Sequence, residues 1–234
     1  MLSIIIPVLN EAENIASLLK HLLNVSSEEN ISEIIIVDGG SSDGTQERVN
    51  TFSGESEVTV VLVSSEKGRA KQMNAGTKIA TGSILYFLHA DSFPPKNYDA
   101  LIISEVQKGN PAGCFRMKFD STHWWLRITG WLTKFKLKAC RGGDQSQFIT
   151  RELFEEIGGY NESFTIYEDY VLITELYKRK SFVVIPAWLT TSARLYERKG
   201  IWKLQYHFLT IYIKKFFGAS AENLYNYYLK HIAS

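Results

Sequence analysis

The sequence predicts an α/β protein with a mostly parallel, twisted sheet, flanking helices and a helical C-terminal extension. The first half alternates short β-branched runs with helical periodicity, as parallel strands joined by crossover helices do. The 234 residues have ordinary globular composition, 45% apolar and 22% charged, which suffices for a sizeable core. Residues 201–217 are apolar and aromatic on nearly every face, which predicts a helix that is either buried or lies on a membrane surface.

The first predicted strand is Ser3 to Ile6, and a helix is expected after it. Asn10 belongs to the residue types that cap helices, so we expect it to begin this helix. The apolar positions that follow are spaced by three and four residues, at Ile15, Leu18, Leu19, Leu22 and Leu23. This spacing predicts that one face packs on the sheet.

Three further β-branched runs predict the next strands, at Ile34 to Val37, Val58 to Val63 and Ile84 to Leu88. Between the last two, Arg69 to Ala80 is predicted as a helix, and Thr81-Gly82 ends it.

The second half is less regular. Pro94-Pro95 is expected to open a helix, residues 113–119 alternate like a strand, and Arg141 to Gln145 is predicted as a polar, flexible loop. Glu168-Asp169 opens a predicted helix that ends near Lys178. We expect one domain, with a nucleotide-binding half at 1–91, an acceptor and catalytic half at 92–200, and C-terminal helices at 201–234.

Charge and cysteine content exclude several protein classes. With 26 Lys plus Arg against 25 Asp plus Glu, the chain lacks the basic surplus of a nucleic-acid binder. Cys114 and Cys140 cannot form a disulfide framework or a zinc site, so we expect packing residues in a reducing compartment. No secretion signal or run of about 18 apolar residues is present, which predicts a cytoplasmic protein.

Carboxylates follow two of the predicted strands, Asp38 after the second and Asp91 after the fourth. Ligands of open α/β sheets bind outside the carboxyl ends of the strands, so both can face one crevice. Asp38 and Asp43 also suit a turn through Gly44, and for Asp43 we favour the turn. His89, next to Asp91, adds a second group that could help to hold a divalent ion.

Cations open the predicted helix at Arg69, where Lys67, Arg69 and Lys71 surround a glycine turn. Because cations oppose the helix dipole there, a bound phosphate would explain them, and a solvated basic face is the alternative. Asp169 at its helix start is either functional or a cap that complements the dipole. Arg194, after a predicted strand, is either a phosphate ligand or part of a surface salt bridge.

Taken together, the motifs resemble glycosyltransferase family 2. The resemblance covers Ser3 to about Lys178 and is carried by four motifs in order: residues 3–11, residues 36–44, His89-Ala90-Asp91 and Glu168-Asp169. Residues 68–74 and 141–145 also resemble the bacterial transferases associated with radical-SAM and selenodomain genes.

The resemblance implies a GT-A fold, a nucleotide-diphosphate sugar donor, Mn²⁺ or Mg²⁺, and inversion at the anomeric carbon. By motif position, Pro7 and Glu11 line the nucleoside pocket and Asp38 contacts the base or ribose. Asp91 matches the metal-holding acid. The matched general base is Asp169. Arg69 and Arg194 are the expected cations for the leaving diphosphate.

Two positions depart from the family pattern: Gly39 replaces a frequent second Asp, and His89 replaces the first acid of Asp-x-Asp. The glycine at position 39 weakens any inference about the nucleobase of the donor. The histidine at position 89 leaves the affinity for a metal ion open. A nucleotidyltransferase and a nucleotide-binding module without turnover are the alternatives. The first usually has a glycine-rich phosphate loop after its first strand, where this chain has residues 7–11.

The acceptor stays open between a lipid-linked, membrane-proximal molecule and a soluble one. Residues 115–141 contain seven basic residues and one acid, Asp120, interleaved with Trp124, Trp125 and Trp131. That mixture is typical of an interfacial helix near anionic lipid, which would place the protein peripherally at the inner membrane face. The same aromatic residues could instead cover the sheet or line a sugar site.

Overall fold

The computed structural model describes residues 1–54 and 56–233. The strands in this part of the chain are β1 (Leu2–Val8), β2 (Ile31–Asp38), β3 (Val60–Ser64), β4 (Ile84–Phe87), β5 (Ser92–Phe93), β6 (Ala112–Phe119), β7 (Gln147–Thr150) and β8 (Val183–Thr191). The α-helices are α1 (Ile15–Asn24), α2 (Thr45–Ser53), α3 (Arg69–Ile79), α4 (Tyr98–Gln107), α5 (Trp124–Leu132), α6 (Arg151–Ile157), α7 (Glu168–Lys178), α8 (Arg194–Lys199), α9 (Ile201–Phe216) and α10 (Ala221–Tyr228).

All the described strands belong to one sheet with the order β3-β2-β1-β4-β7-β6-β8-β5. The first four strands in this order are parallel, as the sequence predicts. Beyond them the sheet is mixed, because β7 is antiparallel to both β4 and β6. The carboxyl ends of β1, β2 and β4 therefore lie at one edge, and the segments after β6 and β8 reach the same region.

Residues of β1 and β2 alternate between the two faces of the sheet. Ile4 and Ile34 join a core with α1, whereas Ile5, Ile35 and Val37 join a second core with α3 and α7. The α3 backbone lies close to the second face at Gly76, where an added Cβ would come within 2.6 Å of Ile5 Cγ2. Both faces of the parallel strands are thus buried, which explains their nearly continuous apolar sequence.

Two local expectations are wrong. Asn10 does not cap α1, which begins five residues later; its side chain accepts a hydrogen bond from the backbone N–H of Ser42, and its own N–H donates to Ser41 Oγ. Contacts with the loop after β2 have therefore outcompeted the local cap. The helix after Pro94-Pro95 begins only at Tyr98. The residue before it, Asn97, adopts the left-handed conformation.

The predicted C-terminal helix is present as α9, but only one face of it is buried. Leu204 and Ile211 pack with Leu224 and Ile232 of the following helical segment. Trp202, Phe216 and other large side chains are exposed, so the fully buried alternative is wrong. No helix in 1–54 or 56–233 has the length and apolarity needed to cross a membrane.

Candidate active site

An acid and an arginine far apart in sequence meet above the carboxyl end of β1. Glu11 lies in the loop after β1, and Arg194 is the first residue of α8. Arg194 Nη2 donates to both carboxylate oxygens of Glu11 at 3.3 Å. The two predicted site residues Glu11 and Arg194 are therefore in direct contact, and this ion pair restricts the orientation of both side chains toward a ligand.

A second group of charges follows β4. His89 Nδ1 lies 3.6 Å from Asp144 Oδ1, a carboxylate supplied by the loop before β7. Asp91 is half-buried nearby. Desolvation raises its pKa, His89 opposes that rise, and the negative charges of Asp144 and Glu11 add to it. Asp144 thus restores an acid beside the histidine that replaces the first acid of the family motif.

The start of α7 carries the predicted base. Tyr167, in the left-handed conformation with φ of 72°, precedes Glu168 and Asp169. Tyr170 N–H donates to Asp169 Oδ1 at 2.7 Å, and neither acid is the helix N-cap residue. Desolvation raises the pKa of Asp169, while this hydrogen bond and the charges of His89 and Arg69 moderate the rise.

Asp169 also lines a small cavity with room for roughly one water molecule. Its volume is about 10 Å³, and its walls come from Met73, Phe87, His89, Gly142, Ser146, Gln147, Tyr160 and Asp169. The carboxylate is therefore held beside His89 in a confined space, a setting that suits proton transfer more than a surface cap does.

Arg69 balances these acids. Desolvation lowers its pKa, but the negative charges of Glu168, Asp144 and Asp169 outweigh that effect and raise it. Solvent still reaches the Arg69 and Asp144 side chains, so the charges line an open cleft. One guanidinium lies in the field of three acids here, so Arg69 does not belong to a purely basic face, and its contact with a phosphate stays a prediction.

Pro7 and Asp38 lie outside this charged cluster. Pro7 is buried in β1 beside Val37 of β2. Burial raises the pKa of Asp38, but hydrogen bonds from Ser41, Gln46 and Gly40 outweigh it, so the pKa is lowered. Asp38 orders its own loop, and its contact with base or ribose stays a prediction.

The departure at Gly39 has a steric reason. A Cβ there would approach the Gln72 side chain to 3.1 Å. Gln72 Nε2 donates to the carbonyl oxygens of Val8 and Val37 at 2.9 and 2.7 Å, which fixes that side chain between the strands. An Asp at position 39 would therefore disturb the link between β1 and β2.

The prediction of a flexible loop at Arg141 to Gln145 is wrong at both ends. Arg141 is only 3% exposed and donates to the backbone oxygens of Thr133 and Phe135. It also donates to Gln145 Oε1 at 2.8 Å and to the sulfur of the buried, free Cys114. This network anchors the segment that brings Asp144 to His89.

Comparison with known proteins assigns the family. The sequence model described as glycosyl transferase family 2 matches residues 3–173. The chain belongs to glycosyltransferase family 2. Its predicted GT-A fold is also confirmed, because the mannosyltransferase PcManGT from Pyrobaculum calidifontis superposes with a TM-score of 0.70. That match covers 97% of this chain and 69% of the other at 18% identity.

Two curated glycosyltransferases are similar in sequence. The PGL/p-HBAD biosynthesis glycosyltransferase of Mycobacterium bovis (strain BCG / Pasteur 1173P2) is 30% identical over 176 residues, 73% of this chain and 67% of the relative. Glycosyltransferase AglE of Haloferax volcanii is 36% identical over 97 residues, 41% of this chain and 32% of AglE. The matched region thus spans about a third of one relative and two thirds of the other.

The acids of this family 2 site fit a divalent ion only in part. Within the described residues, no group of three or more His, Cys, Asp or Glu side chains could enclose a metal. Mg²⁺, however, is usually held by one or two carboxylates together with substrate phosphates. Asp91 carries a raised pKa, so a cation beside it would relieve the repulsion from Asp144 and Glu11. The residues therefore fit an ion shared with a diphosphate.

Glu168 is the residue whose chemistry sequence reasoning passed over, although it stands beside the predicted base. It is 2% exposed, and its Oε2 atom lacks a hydrogen-bond partner among the described residues. Burial, with the charge of Asp169, raises the pKa of Glu168 to about 7. Asp144 was also passed over, because nothing local in its loop indicates that it meets His89.

We expect Glu168→Gln to stabilise the fold above neutral pH. The folded wild type holds the Glu168 proton more tightly than the unfolded chain, so its free energy of unfolding falls as pH rises from about 4.5 to about 7. One proton contributes up to about 1.4 kcal/mol per pH unit. The variant lacks this loss, so urea unfolding should show its advantage growing across that window and staying constant above it.

Glu152→Gln, which neutralises an exposed acid of α6, is the control for a general charge effect. Its stability relative to wild type should stay nearly constant over the same pH range. Equal pH dependence of the wild type and Glu168→Gln would contradict the raised pKa.

Proposed function

We propose that this chain transfers a sugar from a nucleotide-diphosphate donor to an acceptor hydroxyl by metal-assisted single displacement, with inversion at the anomeric carbon. The observation that carries the proposal is that Asp91 and Asp169 both interact electrostatically with Arg69 near the carboxyl end of the parallel strands, while Arg194 contacts Glu11, whose charge also acts on Asp91. Cations suited to phosphate and an acid suited to accept a proton therefore support the proposal together. The solved mannosyltransferase, similar in fold, is in complex with GDP-Man and Mn²⁺, which supports the same ligand classes here.

The residues divide the reaction between them. The acceptor oxygen attacks the anomeric carbon while its proton passes to Asp169, and the bond from that carbon to the diphosphate oxygen breaks. Arg69 and Arg194 bind the phosphates that leave. Asp91 would hold Mn²⁺ or Mg²⁺, which when bound supplies positive charge to the departing diphosphate. No covalent enzyme intermediate is needed.

In this proposal residues 1–91 bind the nucleotide, residues 92–200 supply the acceptor and catalytic groups, and residues 201–234 hold the C-terminal helices of the same domain, with residues 55 and 234 outside the described part. Glu11 and Pro7 belong to the nucleoside pocket, and His89 faces the donor phosphates. We also propose membership of the radical-SAM and selenodomain-associated subgroup. Each of the two motif segments of this subgroup contains a structural contact. In residues 141–145 it is the buried hydrogen bond from Arg141 to Gln145, and in residues 68–74 it is the hydrogen bond from Gln72 to Val8.

The acceptor is proposed to be membrane-proximal, with the enzyme bound peripherally at the cytoplasmic face. Only Leu126 and Gly130 of α5 are buried, so Trp124 and Trp131 do not cover the sheet. Trp124 is 5.8 Å from Trp202 between ring centroids, which joins α5 and α9 in one exposed aromatic surface. Lys134 and Lys136 lie next to α5 and favour anionic lipid.

One assay separates this function from its rivals. The protein is incubated with nucleotide-sugars or with nucleoside triphosphates, and released nucleoside diphosphate and pyrophosphate are measured. A transferase of sugars releases nucleoside diphosphate from nucleotide-sugars. Pyrophosphate from triphosphates would instead establish a nucleotidyltransferase, and binding with no product would establish a nucleotide-binding module.

Arg194→Lys should lower kcat/KM for the donor by about 10-fold, because Lys keeps the charge but loses the planar fork that binds phosphate. The same change at Arg198, an exposed residue of α8, is the matched control and should leave kcat/KM unchanged. Steady-state kinetics with varied donor gives the comparison. Unchanged kinetics for Arg194→Lys would reduce Arg194 to the partner of Glu11.

A further inference from the structure

A groove separate from the charged cluster lies between α5 and the strands β6 and β8. It has a volume of about 430 Å³, and its walls include Lys118, Phe119, Arg127, Trp131 and Trp188. We call it the α5 groove.

The α5 groove is positively charged. Lys118 and Arg127 are exposed on its walls, and none of its lining residues is acidic. The Arg116 guanidinium lies 5.9 Å from the Trp188 ring centroid, and its Nε atom is buried with no hydrogen-bond partner in the described part of the chain. Asp120, the acid nearest in sequence, already accepts a hydrogen bond from Ala193 N–H at 2.7 Å. An anion in the groove would therefore meet the charges of Lys118 and Arg127 with no acid among the lining residues.

The same groove has aromatic walls at the protein surface. Trp131 is 49% exposed and Trp188 is 36% exposed. Lys134 Nζ lies 3.6 Å from the Trp131 ring centroid, which places another cation at the rim. Exposed tryptophans beside basic residues are typical of surfaces that sit at the boundary between headgroups and acyl chains.

The α5 groove is also close to the proposed reaction site. Phe119, which lines it, pairs with Thr191 across β6 and β8, and Thr191 pairs with Ser92 directly after Asp91. A ligand in the groove would thus lie beside β8, which leads to Arg194 and pairs with β5, the strand that begins directly after Asp91. Membrane contact here would hold the cleft near the lipid surface.

We propose that the α5 groove binds the phosphate headgroup of an anionic membrane lipid, with Lys118 and Arg127 contacting the phosphate and the two tryptophans entering the interface. The proposal rests on the membrane-proximal acceptor inferred above and names the surface that would make the contact. A free phosphate ester shares the same chemistry, so the test must separate the two sources.

Flotation with phosphatidylcholine vesicles, with and without phosphatidylglycerol, tests the assignment. The wild type should bind only the anionic vesicles, and high salt should release it. Each basic residue near an anionic surface contributes about fivefold, so Lys118→Gln/Arg127→Gln should bind roughly 30-fold more weakly. Lys20→Gln/Lys78→Gln removes the same charge from exposed sites on α1 and α3 and should bind nearly as well as the wild type.

Three results would overturn the proposal: equal loss in both double variants, equal binding to vesicles without phosphatidylglycerol, or quenching of tryptophan fluorescence by glycerol phosphate with no vesicle binding. Unfolding midpoints of both variants check that the fold is retained. Flotation needs neither donor nor turnover. Vesicle binding without sugar transfer would therefore count against the proposed reaction alone, whereas transfer to a soluble acceptor without vesicle binding would count against the α5 groove alone.

Discussion

Asp169→Asn should lower kcat by about 10²- to 10⁴-fold and leave the affinity for donor nearly unchanged. The amide keeps the shape of the carboxylate but cannot accept the acceptor proton. The position favours this outcome, because Asp169 lines a water-sized cavity beside His89 while one of its oxygens, Oδ1, accepts the Tyr170 N–H of the first helical turn. Stopped assays of sugar transfer give kcat, and calorimetry with the donor nucleotide gives the affinity.

Glu168 is the internal rival for the role of base, since its pKa of about 7 also suits proton transfer. Glu168→Gln therefore belongs beside Asp169→Asn in the same assay. Loss of activity only in Asp169→Asn assigns the base to Asp169. Near-full activity in Asp169→Asn, with loss in Glu168→Gln, would move the role to Glu168.

The pH profile gives a second check on Asp169. Its pKa lies above the ordinary value for an aspartate because of burial, so kcat of the wild type should fall on the acid side at a higher pH than a solvated aspartate would allow. Asp144 adds to this rise, so Asp144→Asn should move the acid limb to lower pH. The residual activity of Asp169→Asn should lack that limb.

The strands and the order of the site motifs were predictable from sequence because they depend on local patterns. Continuous β-branched runs locate β1, β2 and β4, and the acids that follow a strand necessarily lie at its carboxyl end. Gly113 to Phe119 was likewise recognisable by its alternation and forms most of β6. In each case the residues involved are neighbours in sequence, so a short window contains the whole signal.

The errors arise where a distant segment decides the local structure. Arg141 is a polar residue between glycines and lysines, and only the carbonyls of Thr133 and Phe135 and the sulfur of Cys114 explain its burial. Asn10 has a side chain suited to helix capping, but its oxygen accepts a hydrogen bond from the Ser42 N–H instead. The approach of Asp144 to His89 is a contact of the same kind. Such contacts leave no periodic signal in the sequence.

Asp91→Asn should abolish the gain in nucleoside diphosphate affinity that Mn²⁺ provides to the wild type. The wild-type carboxylate is repelled by Asp144 and Glu11, and a cation shared with the diphosphate would relieve that repulsion. With Mn²⁺ present, we expect the variant to bind the nucleoside diphosphate at least about 10-fold more weakly than the wild type does. A loss of this size is typical of substitutions around metal sites. With chelator present, the variant should bind the nucleotide as well as the wild type or better, because one negative charge beside the diphosphate is gone. Titration calorimetry under both conditions gives the four affinities, and Glu152→Gln provides the control of equal charge change.

Equal wild-type affinity with Mn²⁺ and with chelator would show that Asp91 holds no ion against the donor. Arg69 and Arg194 would then be the residues that compensate the charge of the diphosphate. In that case the double variant Arg69→Gln/Arg194→Gln would lose the nucleotide affinity that Asp91→Asn keeps.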